Sequence, residues 1–312
     1  MHIPYRIKRS AWLVRQWFLG LTSKVHGVPP LKTPDGVERV GFYPAFRSQT
    51  EVVDALQKIR YFIDPSRVAS VEISLDCALD FDLEDSASWP VPDYNCAIAP
   101  GETTRVTVAA RPVGLWRALA KYDRVFVWDW TFDEHPRPWA QASGKLLNVD
   151  RHRYGSEAWS WSEFAYATRK DGDATAQARR SVERFKAHIE QLPAFKKAYV
   201  FGTGPSLDRA MEMDFSDGYR IVCNTIVENE ALLTHIDPHI IVAGDAVYHY
   251  APNVHASAFR RDLEKALRNS NMLFVTRDLY LPLLQRHHPE VAERTVTAES
   301  GVPGIHLNAD AR

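Results

Sequence analysis

Cysteine is scarce in this 312-residue chain: three residues, Cys77, Cys96 and Cys223, stand far apart and form neither a CxxC nor a CxxH spacing. That excludes a disulfide framework and a zinc site built on paired ligands, and it fits a reducing cytoplasm. An excess of charge of one sign is lacking too. Thirty-eight Lys and Arg against 39 Asp and Glu leave a net charge of -1, so no broad positive surface is expected and nucleic acid is not an expected partner. No apolar run reaches the ~18 residues of a membrane span, and the N-terminus has no small-residue cleavage site after an apolar core. A soluble or peripheral cytoplasmic protein is the expectation, with the inner face of a membrane as its furthest reach.

Tryptophan is absent from the second half: all nine lie between Trp12 and Trp161. Composition is otherwise ordinary, 45% hydrophobic and 25% charged, and at roughly 150 residues per domain the length predicts two units. The divisions expected are a basic arm at 1–34, a Trp-rich α/β unit at 35–168, a connecting helix at 169–195, and a second α/β unit at 196–312. Ala178, Val182, Phe185 and Ile189 fall on one face of the connecting helix. In the arm, Trp12, Leu13, Trp17 and Leu21 alternate with Arg6, Lys8, Arg9, Arg15 and Lys24, and no acid precedes Asp35. Such a helix suits peripheral contact with an anionic membrane, or packs on its own protein or a partner subunit.

The fold class expected is α/β. In the first unit RVGFYPA, ASVEISL, YDRVFVWDW and KLLNVD read as strands around the helix TEVVDALQKIRYFI, with a Pro-containing excursion between Leu79 and Leu119. The second unit is more regular. AYVFG, YRIVCN, HIIVAGD and MLFVT recur with helical segments between them, the signature of a Rossmann-like, doubly wound parallel sheet.

The first of these strands runs into Gly202-Thr203-Gly204-Pro205-Ser206-Leu207. Two glycines allow a tight turn and close approach of a ligand, and a helix opening at Pro205 or Ser206 would offer amides to an anion. A dinucleotide fingerprint does not fit, because Leu207 replaces the third glycine and the next strand ends on Asn224 rather than an acid. No Walker lysine follows either. An amide at a strand tip can still donate to and accept from a ribose or a base.

GTGPSL followed by a strand ending in Cys223-Asn224 resembles the GxGPSL and CN segments of bacterial sialyltransferases that use CMP-sialic acid, and of related flagellin-modifying glycosyltransferases. The resemblance covers about 198–302. It implies that Gly202, Thr203, Gly204, Pro205, Ser206 and Asn224 line a nucleotide pocket, with Thr203 standing where the family commonly has Asn. Glu299-Ser300-Gly301-Val302 resembles the family's Ser-Gly-Val turn, so Ser300 and Gly301 would close that pocket. The family's histidine base and phosphate-binding tyrosines lie further on than Arg312. The chain is then an excerpt, draws those functions from its first half, or is inactive. Some proteins with a similar turn transfer diphosphate from ATP to a pterin, and in that alternative Mg²⁺ would be required. A non-catalytic interaction protein is the third reading.

Chemistry at the remaining strand tips is expected from Gly244-Asp245 and from His249. Asp245 reads as a base, as a metal ligand if the donor is delivered with Mg²⁺, or as a helix N-cap, and His249 as a base or an exposed helical histidine. Arg277-Asp278 is a weaker candidate, and His287-His288 is expected at a solvated helix end. In the first half Trp128-Asp129-Trp130 and His135 set aromatic rings beside acids, which suits a glycan acceptor or marks the rim of the core. Trp159, Trp161, Phe164 and Tyr166 are expected to close the core of the first unit. The partners expected are a nucleotide sugar and a glycan or protein acceptor, with no cofactor beyond the donor.

Overall fold

A computed structural model describes residues 38–129, 145–149, 156–169 and 174–298. Among the described residues ten strands form two parallel sheets of five. β1 (Glu38–Tyr43), β2 (Val68–Ile73), β3 (Val106–Val108), β4 (Arg124–Val127) and β5 (Leu146–Asn148) make the first, in the order β3-β2-β1-β4-β5. β6 (Ala198–Phe201), β7 (Tyr219–Cys223), β8 (Ile240–Val242), β9 (Leu273–Arg277) and β10 (Thr295–Ala298) make the second, in the order β10-β9-β8-β7-β6.

The α/β architecture and parallel pairing agree with the sequence pattern, but the strand order differs. In the second sheet each crossover adds its strand on the same side, so the order never reverses. The reversal that defines a doubly wound sheet lies in the first, between the tips of β1 and β4. Successive βα units look alike in sequence whichever side the next strand joins, so periodicity does not encode this choice.

The first crossover is helix α1 (Gln49–Phe62), whose N-cap Ser48 accepts from the Glu51 N–H. Val52, Leu56 and Ile59 form its buried stripe. α2 (Leu115–Lys121) leads into β4. Here β1 needs its glycine. A Cβ on Gly41 would lie 2.2 Å from the ring of Tyr122, which is buried and tied through its hydroxyl to Glu72 at 2.8 Å. Gly41→Ala is therefore expected to destabilise the fold by about 1–3 kcal/mol, measured by urea denaturation, because neither ring nor strand is free to move aside.

After β5, α3 (Ser156–Ala167) carries Trp161 and Phe164 into a core shared by both sheets. α4 (Ala174–Glu190) follows. Its expected apolar face is not the buried one: Ala178, Val182 and Phe185 are exposed. The buried contact is Ser181, whose hydroxyl meets Thr297 Oγ1 at 2.9 Å, while Arg184 Nη1 donates to the Thr295 carbonyl at 2.7 Å. Polar capping of the β10 edge thus sets the orientation of α4.

The remaining helices are α5 (Glu230–Ile236), α6 (Val254–Arg268), α7 (Leu281–His287) and α8 (Pro289–Glu293). α6 and α7 join the two halves. Arg260 Nη2 donates to the Tyr94 carbonyl at 2.7 Å, and Asn95 and Ser257 exchange two hydrogen bonds of 2.8 and 2.7 Å. His287 accepts from the Ala97 N–H at Nδ1 and reaches the Tyr61 carbonyl from Nε2 at 2.8 Å. The pair His287-His288 is buried, not solvated as its polar flanks suggest, because the neighbouring half covers the helix end.

Candidate functional site

Because β6 to β10 run parallel, their C-terminal ends share one edge, where sheets of this kind receive ligands. Along it stand Gly202–Ser206 after β6, Asn224 after β7, Gly244-Asp245 after β8 and Arg277-Asp278 after β9. Strands about 4.8 Å apart put the glycine turn roughly 10 Å from Asp245 and roughly 14 Å from Arg277. Ser300 and Gly301 lie outside the described residues.

The glycine turn is open. Gly202, Thr203, Gly204, Pro205 and Ser206 are all exposed, and a Cβ on Gly202 or Gly204 would meet nothing within 4 Å. The expected helix is a 3-10 helix, Pro205–Glu212, in which Leu207 N–H donates to the Gly204 carbonyl at 3.0 Å. Next along the edge, exposed Asn224 has φ 53, in the left-handed region that Asn tolerates better than most residues. It follows β7 directly, the strand paired with β6 ahead of the turn.

Asp245 is exposed, and its Oδ1 accepts from the N–H groups of Val247 and Tyr248, both at 2.8 Å. It is thus the N-cap of the helical turn Ala246–Tyr250. His249, expected as a base or an exposed helical residue, is 2% exposed and packs on Phe259. Its Nδ1 accepts from the Asp245 N–H at 2.9 Å. Burial pushes its pKa down to about 4, so at neutral pH the ring is uncharged, with the proton on Nε2. His249 braces the main chain that carries Asp245.

Helix α3 supplies what the sequence reading did not connect to this edge. Tyr166 donates its hydroxyl hydrogen to Asp278 Oδ2 at 3.0 Å, fastening α3 to the tip of β9. The Arg277 guanidinium lies 4.4 Å from the Trp159 ring centroid, a cation–π stack, and makes no ion pair or hydrogen bond among the described residues. Its stem runs past Gly244, where an added Cβ would be 3.5 Å from Cγ. Trp159 Nε1 donates to Glu163 Oε1 at 2.7 Å. Burial raises the Glu163 pKa, against the opposing pull of that hydrogen bond and of the Arg277 charge. Tyr280 is buried and stacked at 3.9 Å on Tyr250, with its hydroxyl unpartnered. The charges of Arg277, Asp245 and Glu163 all act on that hydroxyl.

The candidate acceptor residues sit elsewhere. Trp128 and Asp129 end β4 at the reversal point of the first sheet, and both are buried. The Trp128 ring is stacked on Phe46 at 4.4 Å and its Nε1 donates to the Pro44 carbonyl, so the ring belongs to the interior of the first sheet. Trp130 and His135 lie outside the described residues. Among the described residues no helix is long and apolar enough to cross a membrane, and no group of three His, Cys, Asp or Glu side chains could hold a metal ion. No protein-family model, curated protein or solved structure matches the chain.

Proposed function

We propose that the protein is a glycosyltransferase that binds a nucleotide-activated sugar, CMP-linked, at the C-terminal edge of its second sheet. The observation that carries this reading is the open turn Gly202–Ser206, set at a parallel strand tip beside Asn224. Unobstructed glycine backbone allows a phosphate to approach the amides, and the Asn224 amide can pair with a ribose or a base. Asp245 stands at the tip of β8 on the same edge, with only its Oδ1 engaged in the helix cap. A surface glycan, lipid-linked glycan or protein is the acceptor class, and the basic N-terminal segment, which lies outside the described residues, would bring the enzyme to the inner face of a membrane.

Thermal-shift titration tests this reading. CMP or CDP without metal is expected to raise the melting temperature, by the equivalent of about 3 kcal/mol at a hundredfold excess over Kd. Stabilisation only by ATP with Mg²⁺ would transfer the site to a pyrophosphokinase of the pterin type. No response to any nucleotide would favour a non-catalytic interaction protein.

A further inference from the structure

We propose that Glu163 of α3 takes the proton from the acceptor hydroxyl, in a site formed between α3 and the tips of β8 and β9. This inference rests on the glycosyl-transfer reading and adds a catalytic residue to it. In the step envisaged, the acceptor O–H proton passes to the Glu163 carboxylate and the freed oxygen bonds to the anomeric carbon. The bond from that carbon to the donor phosphate breaks, its electron pair leaving on the phosphate.

Three features of the geometry point to Glu163. One carboxylate oxygen is fixed by the Trp159 indole, while the other has no partner among the described residues, so the group is both aimed and unoccupied. Arg277 is stacked on the same indole with its N–H donors unengaged, and its charge favours the ionised carboxylate that is to accept the proton. The buried hydroxyl of Tyr280, unpartnered, lies within the field of Arg277, Asp245 and Glu163. A carboxylate desolvated in this way is a stronger base than one in water, which is what removing a hydroxyl proton near neutral pH requires. Asp245 is less suited, since two main-chain amides already hold one of its oxygens and the side chain is solvated. His249 is turned to its own main chain.

The test uses the full chain with CMP-sialic acid as donor and water as acceptor, following CMP release. Glu163→Gln is expected to lower kcat at least ~100-fold, leave the donor KM and the CMP-induced thermal shift within threefold of wild type, and abolish the acid limb of the pH–rate profile. Trp159→Phe, which removes the hydrogen bond favouring the ionised carboxylate, is expected to move that limb to higher pH, an effect that a merely structural role would not produce. Glu163→Asp, which keeps the carboxylate but withdraws it, is expected to retain an intermediate rate. Wild-type turnover in Glu163→Gln, with the CMP shift intact, overturns this proposal alone. A wild-type protein that neither responds to CMP nor releases it from the donor overturns the glycosyl-transfer reading as well.

Discussion

Acidification from pH 7 to pH 4.5 is expected to destabilise the folded protein by several kcal/mol, read as a falling urea midpoint across a pH series. The cause is a set of buried neutral histidines. Burial holds His249 down at about 4 and His287 at about 3, the latter aided by the adjacent Arg286 charge. Both are depressed below the unfolded value near 6.5, so above that pH neither state is protonated and the fold bears no penalty. As pH falls from 6.5 towards the folded values, only the unfolded chain takes up protons. Each such group then subtracts somewhat more than ~1 kcal/mol per pH unit, about 2.5 kcal/mol by pH 4.5. His288, also depressed by burial, acts in the same sense. Glu157 and Glu163, whose pKa values are raised by burial, act in the opposite sense and offset part of the loss. Protonation at His287 Nδ1 would expel the Ala97 N–H that joins the halves, and at His249 Nδ1 it would release the main chain of Asp245. His287→Gln is expected to flatten the slope between pH 6.5 and 4.5 by roughly 1 kcal/mol per unit. An unchanged slope would show that the titrating group lies elsewhere.

The sequence was legible where one element's own pattern decides its structure. The strands other than β3 and β10 coincide with apolar runs such as VFV and IIV, and α1 begins at a Ser48 cap written three residues ahead of Glu51. Legibility failed where distant partners decide. β3 is three residues inside a proline-containing excursion, and it exists because β2 offers an edge. The apolar stripe of α4 predicts the wrong buried face because Ser181 and Arg184 satisfy the edge of β10 instead. Strand order has no local signal at all.

The candidate site divides in the same way. The glycine turn, Asn224 and Asp245 follow apolar strands and could be placed at a ligand-bearing edge from periodicity alone. The burial of His249 could not, since it depends on Phe259 in the next helix. Glu163 carried no signal: it is one acid in an aromatic helix, brought to the edge by a Tyr166–Asp278 bond that spans 112 residues. The WSWSEFAY run did hint at a division of labour, because tryptophans two apart cannot share a helix face. Trp161 and Phe164 enter the core, and Trp159, Glu163 and Tyr166 stay near the strand tips.

That division yields the largest single-residue effect expected. Trp161 is 1% exposed and sits among Phe42, Phe62 and Phe126, stacked on Phe62 at 5.6 Å and edge-on to Phe126 at 4.8 Å. Trp161→Ala removes most of a large ring from close-packed surroundings and leaves a cavity between α3 and the first sheet, which the strand backbones on one side cannot fill. A loss of about 3–5 kcal/mol is expected, measured by urea denaturation at neutral pH. That is a large part of the 5–15 kcal/mol typical of a domain, so the variant would be substantially unfolded at 37 °C. Trp159→Ala, two residues away, is the informative contrast. Its ring is only half-buried, stacked by Arg277, hydrogen-bonded to Glu163 and edge-on to Tyr280 at the margin of the core, so a smaller loss of about 1–2 kcal/mol is expected. If both substitutions destabilised equally, α3 would be a purely structural helix, and the chemistry assigned to its outer face would lose its basis.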